Sequence, residues 1–108
     1  MAVVNINKEF YNKNFVEEKK TGVIEFSAPW CVYCRRIGPA YNKISEEYGD
    51  KIFIGQVNID EEIEISDAHN IDVIPTFMFL KDGQVVDSIV APDSKAKLNE
   101  FIDKNMGL

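Results

Sequence analysis

Trp30-Cys31-Val32-Tyr33-Cys34 holds both cysteines of the chain, three positions apart. Gly22-Val23-Ile24-Glu25-Phe26-Ser27 precedes it as a strand-like run, and a helix-like run with Ile37, Tyr41, Ile44 and Tyr48 on one face follows it. Cys31 therefore falls where a strand ends and a helix begins. A helix start presents unpaired N–H groups and the positive end of the macrodipole, and both favour a thiolate over a thiol. A lowered thiol pKa makes the attacking sulfur available near neutral pH. Cys34, one turn on, lies on the same helix face and close enough to close a disulfide. A pair that attacks and then releases itself by forming its own disulfide exchanges two electrons.

The 108 residues, 45% of them hydrophobic, predict one domain over 1–108 with a core of its own. A net charge of −6 argues against nucleic acid and anionic membrane surfaces as partners. Apolar runs such as Ile74 to Leu80 are far too short to span a bilayer. The start, Met1-Ala2-Val3-Val4-Asn5-Ile6, has no basic region and no long apolar stretch, so no signal peptide is read and a cytoplasmic location is expected. Two cysteines are too few for a disulfide framework, which leaves catalysis or metal binding for a close pair. Tetrahedral zinc needs two further ligands, and the chain offers only carboxylates and His69. His69, in the polar stretch Asp67-Ala68-His69-Asn70, reads as an ordinary surface histidine, so no metal site is expected within one chain.

Along the chain, Val3 to Ile6 reads as a first strand and Asn7 as the cap of a helix over Lys8 to Lys19, with Phe10 and Phe15 inward. Val23 to Ser27 reads as a buried central strand. The helix after Cys31 runs to Tyr48, kinked at Pro39, with Gly49 beyond its end. Lys51 to Asn58 is a strand, and Asp60 begins a short helix ending near His69. Residues 22 to 58 make a βαβ unit with parallel strands and a right-handed crossover. Thr76 to Leu80 and Val85 to Val90 flank Lys81-Asp82-Gly83-Gln84, a strong hairpin signal. Asp93 is expected to cap a last helix with Leu98, Phe101 and Ile102 on one face and Gly107 after it. The order is that of an α/β protein: a mixed central sheet with helices on both faces.

Taken together, these residues resemble the thioredoxin family along nearly the whole chain. Glu25-Phe26-Ser27-Ala28-Pro29-Trp30-Cys31-Val32-Tyr33-Cys34 looks like the family's active-site stretch. Pro39 matches its helix-kinking proline, Ile74-Pro75-Thr76 its cis-proline loop and Lys81-Asp82-Gly83 its hairpin turn. The resemblance implies the thioredoxin fold, with about five strands. Five positions depart from it: Val32-Tyr33 replaces Gly-Pro, Glu25 replaces a buried Asp, Gln56 stands where a Lys is usual, and Ala91 replaces a Gly. Glu25 and Ala28-Pro29-Trp30 are similar to protein disulfide isomerase domains.

The resemblance also implies a role for each site residue. Cys31 is the attacking thiol and Cys34 the resolving, more buried one, the two forming the redox disulfide. Glu25, which interrupts an apolar strand, is the proton acceptor for Cys34 through a water. Trp30 is a partly exposed shield beside Cys31. Most X-Pro bonds are trans, but the resemblance makes Ile74–Pro75 cis and sets Ile74 opposite the disulfide. There its backbone can pair with an extended substrate chain. Val32, Tyr33, Ile74, Ala91 and Pro92 then form an exposed apolar patch that binds protein.

The function so implied is a thiol–disulfide oxidoreductase that reduces protein disulfides. It acts as a monomer with no bound cofactor, and a flavin-dependent thioredoxin reductase recharges it. Rival readings are an oxidase or isomerase of the disulfide isomerase type, and a chain-binding module without turnover. Val32 is also shared with thioredoxins of some anaerobic bacteria that supply electrons to amino-acid reductases, which makes such reductases candidate partners.

Overall fold

A computed structural model describes residues 3–108; Met1 and Ala2, where the leader reading and the 1–108 domain begin, lie outside it. Five strands form one sheet in the order β1-β3-β2-β4-β5. They are β1 (Val4–Asn5), β2 (Gly22–Ser27), β3 (Phe53–Asn58), β4 (Thr76–Lys81) and β5 (Gln84–Val90). β3 pairs in parallel with both β1 and β2, and β4 runs antiparallel to β2 and β5. The β2–β3 pair is the expected parallel unit, and β2 is the central strand.

Alternation along β2 sends successive residues to opposite layers. Val23 joins Phe77, Phe79 and Ile54 beneath Ile37, Tyr41 and Ile44 of α2 (Val32–Tyr48) and Leu98, Phe101 and Ile102 of α4 (Lys95–Met106). Ile24 and Phe26 join Met78, Leu80 and Val57 on the other layer, against Phe15 and Ile65 of α3 (Ile63–Ala68). Burying each of these side chains stabilises the fold by about 1.5–3 kcal/mol. Tyr41 donates its buried hydroxyl to the Gly55 carbonyl across 2.7 Å, which ties α2 to the sheet. A Cβ on Gly55 would overlap the Ile6 side chain and stand 3.1 Å from Val4 O, so the glycine eases the close approach of the β1 segment.

The hairpin turn is Asp82-Gly83, with φ of 52° and 80°, both left-handed as a tight two-residue turn requires. α2 stays continuous through Pro39. Its cap Gly49 has φ of −60° and so does not use the left-handed freedom expected of it; Gly107, φ 78°, does so after α4.

Several expected boundaries move. The first strand shortens to Val4–Asn5, and the short helix expected from Asp60 begins at Ile63, because Glu61 and Glu62 donate back to Asn58 O in a turn. The helix over Lys8 to Lys19 divides into α1 (Lys8–Tyr11) and a π-helical segment, Asn12–Glu17. Asn14 is the cause: its side-chain amide donates to the Phe10 carbonyl at 2.9 Å, the acceptor that its own N–H would use in an α-helix. The strand expected from Lys51 starts at Phe53, because Lys51 and Ile52 both donate to Tyr48 O in a closing turn. Ser94, not Asp93, caps α4, its Oγ accepting from Lys97 N, while Asp93 forms an exposed ion pair with Lys97.

Candidate active site

Cys31 sits at the N-cap of α2 in extended conformation. Its N–H donates to Ala28 O at 3.1 Å, and its Sγ accepts from the backbone N–H of Cys34 at 3.2 Å. The helix start thus points a donor at this sulfur, as the strand–helix junction predicts. Cys31 and Cys34 form a disulfide with Cα atoms 5.3 Å apart. The two cysteines are equally covered, each 7% exposed, so the expected contrast of an exposed Cys31 and a buried Cys34 is absent in the oxidised pair. Ala28 and the half-buried Ile59 and Ile74 close over both. What distinguishes the two is position: Cys31 precedes the first turn and Cys34 lies within it.

Glu25 is 3% exposed at the centre of β2, and its Oε2 is buried with no hydrogen-bond partner. Burial pushes its carboxyl up from the usual 4.5 to about 7. Glu25, Cys34 and Tyr41 border a cavity of about 720 Å³ between the sheet and the first half of α2. Gln56 is the register neighbour of Glu25 on β3, but its amide donates to Asn5 Oδ1 at 2.6 Å rather than to Glu25 Oε2.

The loops converge on the disulfide. Ile74–Pro75 is cis, and Ile74 packs against the Ala28, Cys31 and Cys34 cluster. Ala91 N donates to Pro75 O at 2.8 Å, and Tyr33 Oη donates weakly to Ala91 O at 3.5 Å. Trp30 is 64% exposed and its indole N–H donates to Asp60 at 2.8 Å. Val32 and Tyr33 are exposed, whereas Ile74 and Ala91 are half-buried. Pro92 does not join the expected exposed patch: it is buried, in the segment that leads from β5 to the Ser94 cap. Ala91 adopts φ of 45°, a left-handed conformation that its Cβ makes costly and that a glycine would take freely.

Sequence reasoning missed Asp60, Asn5 and Val73. Nothing in the sequence joins Asp60 to Trp30, thirty positions earlier; only the end of β3 beside the end of β2 brings them together. Val73 is exposed on the loop before Ile74, and its apolar character beside Ile74-Pro75 was a usable signal. His69 is not a plain surface residue. It is half-buried, accepts or donates a 2.8 Å hydrogen bond with Tyr11 Oη, and packs beside the Phe26 ring. Among the described residues no group of three or more His, Cys, Asp or Glu is placed to hold a metal ion, and no helix is long and apolar enough to cross a membrane.

A cysteine pair that stores two electrons as thiols and releases them by closing this disulfide is the chemistry of a thiol–disulfide oxidoreductase. Known proteins narrow the class. The family model described as thioredoxin matches residues 2–104. The thioredoxin of Bacillus subtilis is 35% identical over 108 residues, covering 98% of this chain and all (100%) of that one. Thioredoxin 1 of Synechococcus elongatus is 33% identical over 96 residues, covering 89% and 90%. The crystal structure of Malassezia sympodialis thioredoxin superposes with a TM-score of 0.84 at 34% identity, covering 95% of this chain and 90% of that one. The chain belongs to the thioredoxin family and is a thiol–disulfide oxidoreductase with the thioredoxin fold.

Proposed function

We infer that the substrates are disulfides of other proteins and that the chain reduces them through an atypical Cys-Val-Tyr-Cys site. The observation that carries this reading is the Cys34 N–H on Cys31 Sγ, beside the Ile74–Pro75 loop. Cys31 thiolate, favoured by that donor, attacks one sulfur of the substrate disulfide and expels the other as a thiolate. Cys34 then gives up its proton and attacks Cys31 Sγ. The substrate leaves with both sulfurs reduced, and the Cys31–Cys34 disulfide carries the oxidation. Glu25, at about 7, takes the Cys34 proton by way of water in the cavity.

Ile74 offers its backbone N–H and C=O to an extended substrate chain. Trp30, Val32, Tyr33 and Val73 supply the apolar rim, while Ala91 and Pro92 shape it from behind. A flavin-dependent thioredoxin reductase restores the dithiol, and amino-acid reductases are among the acceptors that suit the Val32 variant. The protein works as a monomeric single domain over 1–108 in the cytoplasm.

The test is insulin reduction driven by NADPH and a thioredoxin reductase. Turnover is expected for the native chain and is lost in Cys31→Ser. Binding of reduced chains without turnover would favour the chain-binding reading. An isomerase-type reading is favoured by Glu25, and a potential close to that of protein disulfide isomerase would support it.

A further inference from the structure

Asn5, Gln56 and Glu25 stand in register across three strands. Asn5 on β1 pairs with Gln56 on β3, and Gln56 pairs with Glu25 on β2. Residues in register share a face of the sheet, and neighbouring strands lie about 4.8 Å apart. The three side chains thus form a polar row from the exposed edge to the buried centre beneath Cys34, along the floor of the cavity. Gln56 sits in the middle with an amide that is able to reach either neighbour. It turns outward, and Glu25 Oε2 has no partner.

We propose that Asn5 is a positioning residue for the proton step: by accepting the Gln56 amide it keeps that donor off the Glu25 carboxyl. A hydrogen bond donated to a carboxylate favours the charged form. With Gln56 held away, burial alone governs Glu25 and leaves it a proton acceptor matched to neutral pH. The other ionisable groups that face this space are Tyr41, Cys34 and Arg35 on α2, and Glu61 and Glu62 after β3. Tyr41 donates its hydroxyl to Gly55 O, and burial first and the Glu25 charge second push its pKa well above 10.0. Arg35 is exposed. None of these contacts depends on Asn5.

This inference rests on Glu25 as the proton acceptor, and two readouts keep the claims apart. The first is the carboxyl titration of Glu25 by NMR in the oxidised protein, where neither cysteine titrates. Asn5→Ala releases Gln56, and the Glu25 midpoint is expected to fall by about one pH unit, a tenfold change in proton affinity. Asn5→Asp keeps an acceptor for Gln56, and the midpoint is expected not to fall. The double variant Asn5→Ala/Gln56→Ala has no amide to release, so the midpoint is expected to stay near the native one. An unchanged midpoint in Asn5→Ala, or a fall that persists in the double variant, overturns the inference. The second readout is the pH profile of disulfide reduction. If Asn5→Ala lowers the Glu25 midpoint while the profile stays in place, the hold of Asn5 on Gln56 stands, but Glu25 as proton acceptor fails and with it the role of Asn5 in the proton step.

Discussion

The backbone N–H of Cys34 donates to Sγ of Cys31 across 3.2 Å, so the first turn of α2 places its donor on the sulfur that precedes it. The same contact stabilises a thiolate once the disulfide is reduced, whereas Cys34 Sγ lies past the helix start. In the reduced protein, iodoacetamide near pH 7 is expected to modify Cys31 at least about tenfold faster than Cys34, because reaction rate follows the thiolate fraction. Peptide mapping after brief labelling reads the ratio. Faster labelling of Cys34 would reverse the two roles.

Glu25 gives a dependence of stability on pH with a definite sign. Its folded pKa, about 7, lies above its ordinary 4.5. Between these values the unfolded chain ionises Glu25 while the folded one retains the proton, so stability falls as pH rises through this window. At 1.36 kcal/mol per unit the loss is about 3 kcal/mol. Glu25→Gln removes it: urea denaturation at pH 8 is expected to show a variant more stable by up to about 3 kcal/mol, with little gain at pH 4.5. Disulfide reduction by the variant slows on the order of 10²-fold if the carboxyl moves the proton.

His69 acts in the opposite direction. Burial holds its pKa below the usual 6.5, so as pH falls the unfolded chain binds that proton first and stability declines. Below about pH 6.5 the two slopes oppose each other, which flattens the native profile. Separating them is direct: stability over this range is expected to rise with pH in Glu25→Gln and to fall with pH in His69→Phe. Tyr11→Phe, which removes the hydroxyl bonded to His69, is expected to cost about 0.5–1.5 kcal/mol near neutrality.

Val32 and Tyr33 occupy the first turn of α2, where a proline would fix φ for the helix in advance. Without it the first turn is less prepared for the dithiol. The expected reduction potential lies between that of thioredoxin, about −270 mV, and that of protein disulfide isomerase, about −180 mV. Equilibration with glutathione measures it, and the pair Val32→Gly/Tyr33→Pro is expected to move it toward the more negative end.

Most of this architecture was legible because its signals are local. Period-two and helical patterns around Cys31, the Asp82-Gly83 turn and the helical spacing of Leu98, Phe101 and Ile102 each act over a few residues. The resemblance supplied what local pattern cannot, notably the Ile74–Pro75 loop beside Cys31. Contacts between distant segments stayed hidden. Asn14 reaching for the Phe10 carbonyl turned an expected α-helix into a π-helical one. Gln56 stood beside Glu25 in register, but its amide turns to Asn5 on the far side, a contact that no local pattern gives. Pro92 was assigned to an exposed patch from loop membership alone, and the path from β5 to α4 buries it.

Single-turnover trapping tests the central claim, that Cys31 attacks and Cys34 resolves. Reduced Cys34→Ser protein is mixed with a peptide containing a disulfide, quenched with acid, and the adduct is mapped by mass spectrometry. A stable one-to-one mixed disulfide on Cys31 is expected, with no adduct from Cys31→Ser under the same conditions. An adduct that forms on Cys34 in Cys31→Ser, with none on Cys31 in Cys34→Ser, would contradict the account.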